Sequence, residues 1–193
     1  MNTMEKALLE LNQIGQTDVE LQKVNLTIMP TDFVAIVGLN SVNKHALIEF
    51  VTGSRQPKNG EVNWTGTRSV RVISQHNRTD LIKATAEQRF RLALARSLVN
   101  RPSLLILDDP FGSLNMAVKR ELYQLVNKIG TQMKAAVLLL THDVNEAARM
   151  AQRVIGIRNG SNQFEECGAR GCDEQKIDQV TDSLFNDLVN VAY

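Results

Sequence analysis

The sequence predicts an α/β fold in which a mainly parallel sheet is flanked by helices. Short apolar runs alternate along the chain with longer segments whose apolar residues recur at helical spacing. Three of these runs are apolar throughout, as expected for strands buried on both faces; they are FVAIV, LLIL and AAVLLL, beginning at Phe33, Leu104 and Ala135. Strands that alternate with helices need crossover connections, which place successive strands parallel in one sheet.

The N-terminal half begins with a strand of a different kind. Val24, Leu26 and Ile28 alternate with polar residues, which indicates a strand that is buried on one face only. The other elements predicted in this half are a turn at 30–32, the buried strand at 33–38, a helix over 44–51, a turn into a strand over 57–64 and a strand over 69–74.

The C-terminal half continues the alternation. Thr85 is predicted to cap a helix that runs to about Val99. The elements that follow are predicted as a strand over 103–109, a helix over 116–129, a strand over 135–143, a helix over 144–152 and a strand over 153–160. We therefore expect one domain over 1–160 and a C-terminal extension over 161–193.

The extension contains an apolar stripe at helical spacing. Its members are Ile177, Val180, Leu184, Leu188 and Val191, with Phe185 alongside. The stripe predicts an amphipathic helix that packs on the same domain, and a helix that binds a partner is the alternative.

Composition excludes several classes of protein. The chain has 193 residues, 43% of them hydrophobic and 22% charged, with a net charge of +1, so no basic field indicates a nucleic-acid partner. The apolar runs are too short to span a bilayer, and the N-terminus does not resemble a secretory signal, so we expect a cytoplasmic protein. Cys167 and Cys172 lack a second Cys/His pair and are interpreted as free thiols rather than metal ligands.

Several ordered motifs in the second half resemble one family. They are LALARSLVNRPSLLILDDP, the segment LLILDDPFGSLN and the segment LLLTHDVNEAARMAQRVIGI. Together they resemble the ATP-binding subunit of an ABC transporter. Their amino-acid residues are most similar to those of importers of the nitrate, sulfonate and taurine group. The resemblance implies a P-loop core with an N-terminal antiparallel β region, and ATP and magnesium as cofactors. It also implies a second ATP-binding subunit and a membrane permease as partners, with the chain at the inner face of the membrane.

The segment GLNSVNKH occupies the place of the family's phosphate loop. Gly38 and Lys44 match it, and the lysine is expected to neutralise the outer phosphates. Ser41 and Asn43 stand where the family has glycine, and Asn43 is expected to preserve a left-handed turn because Asn tolerates positive φ. His45 replaces the hydroxyl that holds magnesium, and an imidazole is a poor ligand for that cation.

The resemblance assigns four further residues to the site. Asp108 matches the acid that orients magnesium, and His142 matches the histidine that contacts the γ-phosphate. Gln75 matches the glutamine that senses magnesium and the attacking water. Asp109 stands where the family has a catalytic glutamate. Because Asp is one methylene shorter than Glu, its carboxylate lies about 1.5 Å closer to the backbone. Misplacement on that scale costs about 10²-fold in rate.

The family's signature, a glycine-rich helix start that clamps the partner's γ-phosphate, is replaced by ATAEQ. Thr85 and Gln88 retain the polar side chains of the signature, while Ala86 and Glu87 replace both of its glycines. A carboxylate 4 Å from a phosphate is repelled by about 1 kcal/mol in water and about 4 kcal/mol at an effective dielectric of 20. The same Glu87 suits the start of a solvated helix, because the helix dipole favours an acid there. We therefore expect Glu87 both to stabilise the start of its helix and to weaken the binding of a partner's phosphate.

Two other parts of the family pattern are reduced. The first strand carries no aromatic residue to stack on adenine, and Ile14 is the apolar contact in its place; stacking is worth about 1–3 kcal/mol. Only HNRTDLIK separates Gln75 from the signature-like segment, where the family has several dozen residues that form a helical subdomain. Most of that subdomain, which receives the permease, is therefore expected to be missing.

These departures predict a degenerate ABC ATP-binding subunit, with weak ATP binding and with hydrolysis that is impaired or absent. One alternative is a non-catalytic regulatory or scaffolding pseudo-ATPase that acts through protein contacts. A second alternative is an active ATPase subunit that energises solute import in a heterodimer, where the partner supplies an intact signature.

Overall fold

A computed structural model of the chain describes residues 6–16, 21–74, 84–112, 114–158, 161–170 and 172–190. Its strands are β1 (Leu9–Gln16), β2 (Leu21–Ile28), β3 (Phe33–Val37), β4 (Asn59–Trp64), β5 (Val70–Ser74), β6 (Leu104–Asp108), β7 (Ala136–Leu140), β8 (Arg153–Arg158) and β9 (Ser161–Cys167). Its helices are α1 (Ser41–Thr52), α2 (Ala86–Leu98), α3 (Met116–Met133), α4 (Val144–Met150) and α5 (Glu174–Asn190).

Two sheets confirm the predicted fold class. The larger sheet has the strand order β5-β6-β7-β3-β8-β9, and all its neighbouring strands are parallel except β8 and β9. The smaller sheet is antiparallel, with the order β2-β1-β4. Strand β9 has no counterpart among the elements predicted from the sequence. Because β9 pairs with β8, residues 161–167 of the expected C-terminal extension add a strand to the larger sheet.

The core lies on both faces of the larger sheet. Along β3, Phe33, Ala35 and Val37 pack into a cluster that includes residues of α2, α3, α4 and α5. Val34 and Ile36 face the opposite way and pack with α1 and the antiparallel sheet. Burial on both faces explains why β3 and β7 are apolar throughout and why β6 is apolar as far as Leu107.

The predicted loss of the helical subdomain is confirmed. β5 ends at Ser74 and α2 begins at Ala86, so only residues 75–85 connect them. Thr85 caps α2 as predicted. Within the described ranges, no helix combines the length and hydrophobicity needed to cross a membrane.

The C-terminal stripe lies on a helix, α5, as predicted. Ile177, Val180 and Leu184 of α5 are buried in the same cluster as Phe33. Phe185 is 60% exposed, whereas Leu188 and Val191 lie outside the described side chains. Cys172 is a free, exposed thiol.

Candidate nucleotide site

The carboxyl ends of the central parallel strands meet at one edge of the larger sheet. In register, Ile36 of β3 lies beside Leu140 of β7, and Leu140 lies beside Asp108 of β6. The residues that follow each strand therefore converge, which is where open α/β sheets bind ligands. They border a cleft of about 690 Å³ lined by Ser41, Lys44, His45, Ile48, Glu49, Thr52, Ser54, Val72, Ser74, Asp108, Asp109 and His142.

The turn after β3 requires glycine. Gly38 has φ = 89°, in the left-handed region, and a Cβ built on it would lie 2.2 Å from the carbonyl oxygen of Ile157. No side chain fits that space without moving the backbone of β8. The first glycine of the predicted loop is therefore fixed by the fold itself.

Helix α1 begins earlier than predicted, at Ser41 rather than Lys44. Asn40 is its N-cap: the side-chain oxygen accepts the backbone N–H of Asn43 at 2.8 Å, and the backbone oxygen accepts the N–H of Lys44 at 2.9 Å. Capping of this kind stabilises a helix start, so the helix extends into the segment where a phosphate loop would be. The expected left-handed turn at Asn43 is wrong, because Asn43 lies in the first turn of α1 without positive φ.

The side chain of Lys44 extends from α1 toward two carboxylates at the end of β6, those of Asp108 and Asp109. Its side chain is buried, and its Nζ lies 3.6 Å from Oδ1 of Asp108. The same ammonium donates a hydrogen bond to Oδ2 of Asp109. Both acids are partly open to the cleft, with 23% and 30% of their side chains exposed. One buried cation is therefore shared by two half-exposed carboxylates.

Asp109 is held in place from two other directions. Its backbone N–H donates to the carbonyl of Leu140 at 2.9 Å, and its own φ is 42°. The backbone N–H of His142 donates to Oδ1 of Asp109 at 3.3 Å, and Nε2 of that histidine lies 3.7 Å from Oδ2. The structure therefore brings together Lys44, Asp108, Asp109 and His142, from three separate parts of the sequence.

Comparison with known proteins identifies the family. No protein-family profile matches the chain. The chain is 33% identical over 178 residues to aliphatic sulfonates import ATP-binding protein SsuB 2 of Frankia alni, covering 74% of this chain and 72% of that protein. It is 32% identical over 184 residues to the corresponding SsuB 1 protein of Shouchella clausii, covering 76% of this chain and 74% of the other. The chain belongs to the ATP-binding subunits of ABC transporters.

A solved structure supports the same fold. CbiO1 from Clostridium perfringens, described as part of the ABC transporter complex cbiONQ, superposes with a TM-score of 0.74 at 16% identity, covering 96% of this chain and 93% of that one. The two sulfonate-import relatives confirm the resemblance to importer-type ABC subunits, and the solved structure confirms the fold. The alignment with the Frankia alni protein is 178 residues long yet spans only 74% of these 193 residues, so that relative contains residues that this chain lacks.

His45 does not join the acids of the cleft. Its side chain is 76% exposed, and its Nε2 lies 3.4 Å from Oε1 of Glu49, one helical turn further along α1. In the described part of the chain, no group of three or more His, Cys, Asp or Glu side chains is arranged to hold a metal ion. Magnesium prefers oxygen ligands, and Asp108 offers one while His45 offers none. Gln75, the other expected magnesium contact, lies outside the described residues.

The signature-like segment of this ABC subunit forms a complete helix cap. The hydroxyl of Thr85 accepts the N–H of Gln88 at 3.2 Å, and the side-chain oxygen of Gln88 accepts the N–H of Thr85 at 3.0 Å. Glu87 accepts a hydrogen bond from Arg91 at 3.0 Å, one turn along α2, and Ala86 is the first residue of that helix. The same side chains that would clamp a phosphate therefore stabilise their own helix start.

The proposed adenine contact is wrong. Ile14 is fully buried and packs in the core between the antiparallel sheet and α1, so it does not line a surface on which a base could rest. A β-strand places alternate side chains inward, and the sequence alone does not show which face of β1 is covered.

Sequence reasoning missed a buried polar network next to the cleft. Nζ of Lys119 on α3 lies 2.6 Å from Oε1 of Glu146, whose Oε2 accepts the hydroxyl of Thr141 at 2.9 Å. That hydroxyl in turn accepts the N–H of Asp143, so the network fixes the turn that contains His142. Burial lowers the pKa of Lys119, but the carboxylates of Glu146 and Asp143 outweigh it and the pKa lies above its ordinary value. A lysine followed by an arginine on an amphipathic helix gives no sign of such burial.

Proposed function

We propose that this chain is an ABC transporter ATP-binding subunit that binds ATP weakly and hydrolyses it slowly or not at all. The observation that carries the proposal is the early start of α1. Because Asn40 accepts the N–H groups of both Asn43 and Lys44, two amides that a phosphate loop would direct at its ligand already have partners.

The remaining residues fit part of the ATP–magnesium complex. Lys44 would meet the outer phosphates after leaving the acids, Asp108 would hold magnesium directly or through water, and His142 would contact the γ-phosphate. Bound magnesium would neutralise phosphate charge and polarise the reacting oxygen. The carboxylate at position 109 would act as the base. However, it is the shorter acid, and it already contacts Lys44 and His142.

The curated relatives support an importer role. The proteins of Frankia alni and Shouchella clausii are named as aliphatic sulfonate import subunits, so we propose an anionic organic solute of this class as the cargo. The chain would act at the cytoplasmic face of the membrane with a second ATP-binding subunit and a permease. Its reduced helical subdomain would give the permease a smaller docking surface.

A titration with ATP and magnesium tests the proposal. The wild-type chain is expected to bind with a dissociation constant well above the micromolar range and to release no measurable phosphate. The triple variant Ser41→Gly, Asn43→Gly, His45→Thr weakens the early start of α1 by placing two glycines in its first turn, and it supplies a hydroxyl. Its affinity is expected to rise at least about tenfold, since recovering one hydrogen bond to a charged group is worth about 1.5–3 kcal/mol. The same triple change combined with Lys44→Met is the control and is expected to lose the gain.

Three results separate this proposal from its alternatives. Micromolar ATP binding by the wild-type chain, with phosphate release abolished by His142→Ala, would establish an active ATPase. Phosphate release that appears only with an intact second subunit would establish the heterodimer, in which Lys44, Asp108 and His142 would serve a site completed by the partner. No binding by either the wild-type or the triple variant would leave the scaffolding role.

A further inference from the structure

The ammonium of Lys44 already has two partners within the protein. It is 6% exposed, it lies 3.6 Å from Asp108, and it donates to Asp109. A triphosphate entering the cleft therefore meets a lysine whose positive charge is matched by carboxylates. To reach a phosphate, Lys44 has to exchange a protein anion for a ligand anion, so the affinity of the site depends on how firmly those carboxylates hold it.

Asp109 is the more firmly placed of the two competitors. Its backbone N–H is bound to Leu140, and one oxygen accepts the N–H of His142 while the other accepts from Lys44. Its φ of 42° is one that Asp tolerates better than most residues, so the fold maintains this orientation. The carboxylate is thus presented to Lys44 by the backbone of two neighbouring strand ends.

We propose that Asp109 acts as an internal competitor of the nucleotide phosphates for Lys44, so that this carboxylate lowers the affinity of the free protein for its ligand. The inference rests on the proposed function, because it requires the cleft to accept a nucleotide. It gives Asp109 a role in regulating access to the site, in addition to the role of a base in the proposed function.

A general effect of negative charge has to be separated from competition for Lys44. Glu49 provides the matched control, because it lines the same cleft but pairs with His45 at 3.4 Å and Arg55 at 3.6 Å instead of Lys44. Neutralising either acid removes one negative charge from the cleft. Only the change at Asp109 removes a partner of Lys44.

The experiment is a titration of the wild-type chain and its variants with a non-hydrolysable ATP analogue and magnesium. Asp109→Asn and Asp109→Gly both tolerate the left-handed backbone, so at least one is expected to fold. We expect each to bind about five- to tenfold more tightly than the wild type, the effect of removing one close, partly solvated charge interaction. Glu49→Gln is expected to stay within about twofold of the wild type.

A second experiment measures thermal stability and requires no nucleotide. Thermal midpoints of the wild type, Lys44→Met, Asp109→Asn and the double variant form a cycle, and the double variant is expected to lose less than the sum of the single losses. Additive losses would show that the ion pair does not exist in solution and would overturn the inference.

The titration distinguishes failure of the inference from failure of the proposed function. Measurable wild-type binding that Asp109→Asn and Asp109→Gly leave unchanged, or that Glu49→Gln raises as much as they do, would overturn the inference and leave the proposed function standing. Absence of binding in every variant, including the Ser41→Gly, Asn43→Gly, His45→Thr protein, would reject the proposed function and the inference with it.

Discussion

Two lysine–carboxylate networks lie next to each other at the carboxyl edge of the sheet, and they differ in how far water reaches them. In the first, the side chain of Lys119 is 10% exposed and that of its partner Glu146 is 3% exposed. In the second, Lys44 is 6% exposed, but its partners Asp108 and Asp109 are 23% and 30% exposed. The lysines are buried to a similar extent, so the difference lies in the acids. Lys119 also lies 3.4 Å from the more exposed Asp143, but its nearest partner, Glu146, is buried.

The difference separates a structural ion pair from an exchangeable one. Glu146 has both oxygens bound, to Lys119 and Thr141, and neither partner can be replaced by water without opening the core. Asp108 and Asp109 face the cleft, so water or a ligand can take over from Lys44. The closed network keeps the turn before α4 in place, and the open network leaves the lysine available.

The largest effect is expected from Lys119→Met, because it leaves the buried carboxylate of Glu146 without its cation. Breaking a buried pair in this way costs about 3–5 kcal/mol of unfolding free energy. Urea unfolding at neutral pH measures it. Removing both charges in Lys119→Met, Glu146→Gln keeps the acceptor for Thr141 and is expected to recover most of the loss. A single variant as stable as the wild type would mean that this network is hydrated after all.

The same substitution in the open network gives the direct comparison. Lys44→Met is expected to cost no more than about 1 kcal/mol, because Asp108 and Asp109 are partly exposed and water from the cleft can take the place of the ammonium. Urea unfolding under the same conditions measures the cost. Equal losses for Lys44→Met and Lys119→Met would remove the distinction between a closed and an exchangeable pair.

The open network could be predicted from the sequence, and the closed network could not. Lys44, Asp108 and His142 each follow an apolar strand within a recognisable motif, and parallel strands place such positions at one edge. Lys119 lies on a helix with charged neighbours, and its burial depends on α4 packing above it, which is a tertiary contact without a local signal.

Two local features of the site also could not be predicted from the sequence. Asn40 could be interpreted as a loop residue or as a cap, and the choice depends on whether the next three residues turn into a helix. The inward face of β1, which buries Ile14, depends on a register with two other strands that includes bulges. Family motifs predict which residues converge, whereas caps and strand faces are decided by packing.

The smallest effect is expected at an ion pair on the surface, which extends the comparison to a third degree of exposure. Arg149 of α4 donates to both oxygens of Glu174 at the start of α5, at 2.8 and 2.7 Å, and its guanidinium holds the pKa of that carboxyl below the ordinary value of 4.5. A carboxyl whose pKa is lower in the folded state stabilises the fold above its ordinary pKa, and this contribution is lost as the pH falls through the lowered value. Glu174→Gln is therefore expected to be slightly less stable than the wild type at neutral pH and to match it in strong acid, as measured by urea unfolding across that range. A stability difference that does not change with pH would show that Glu174 contributes through packing and not through its charge.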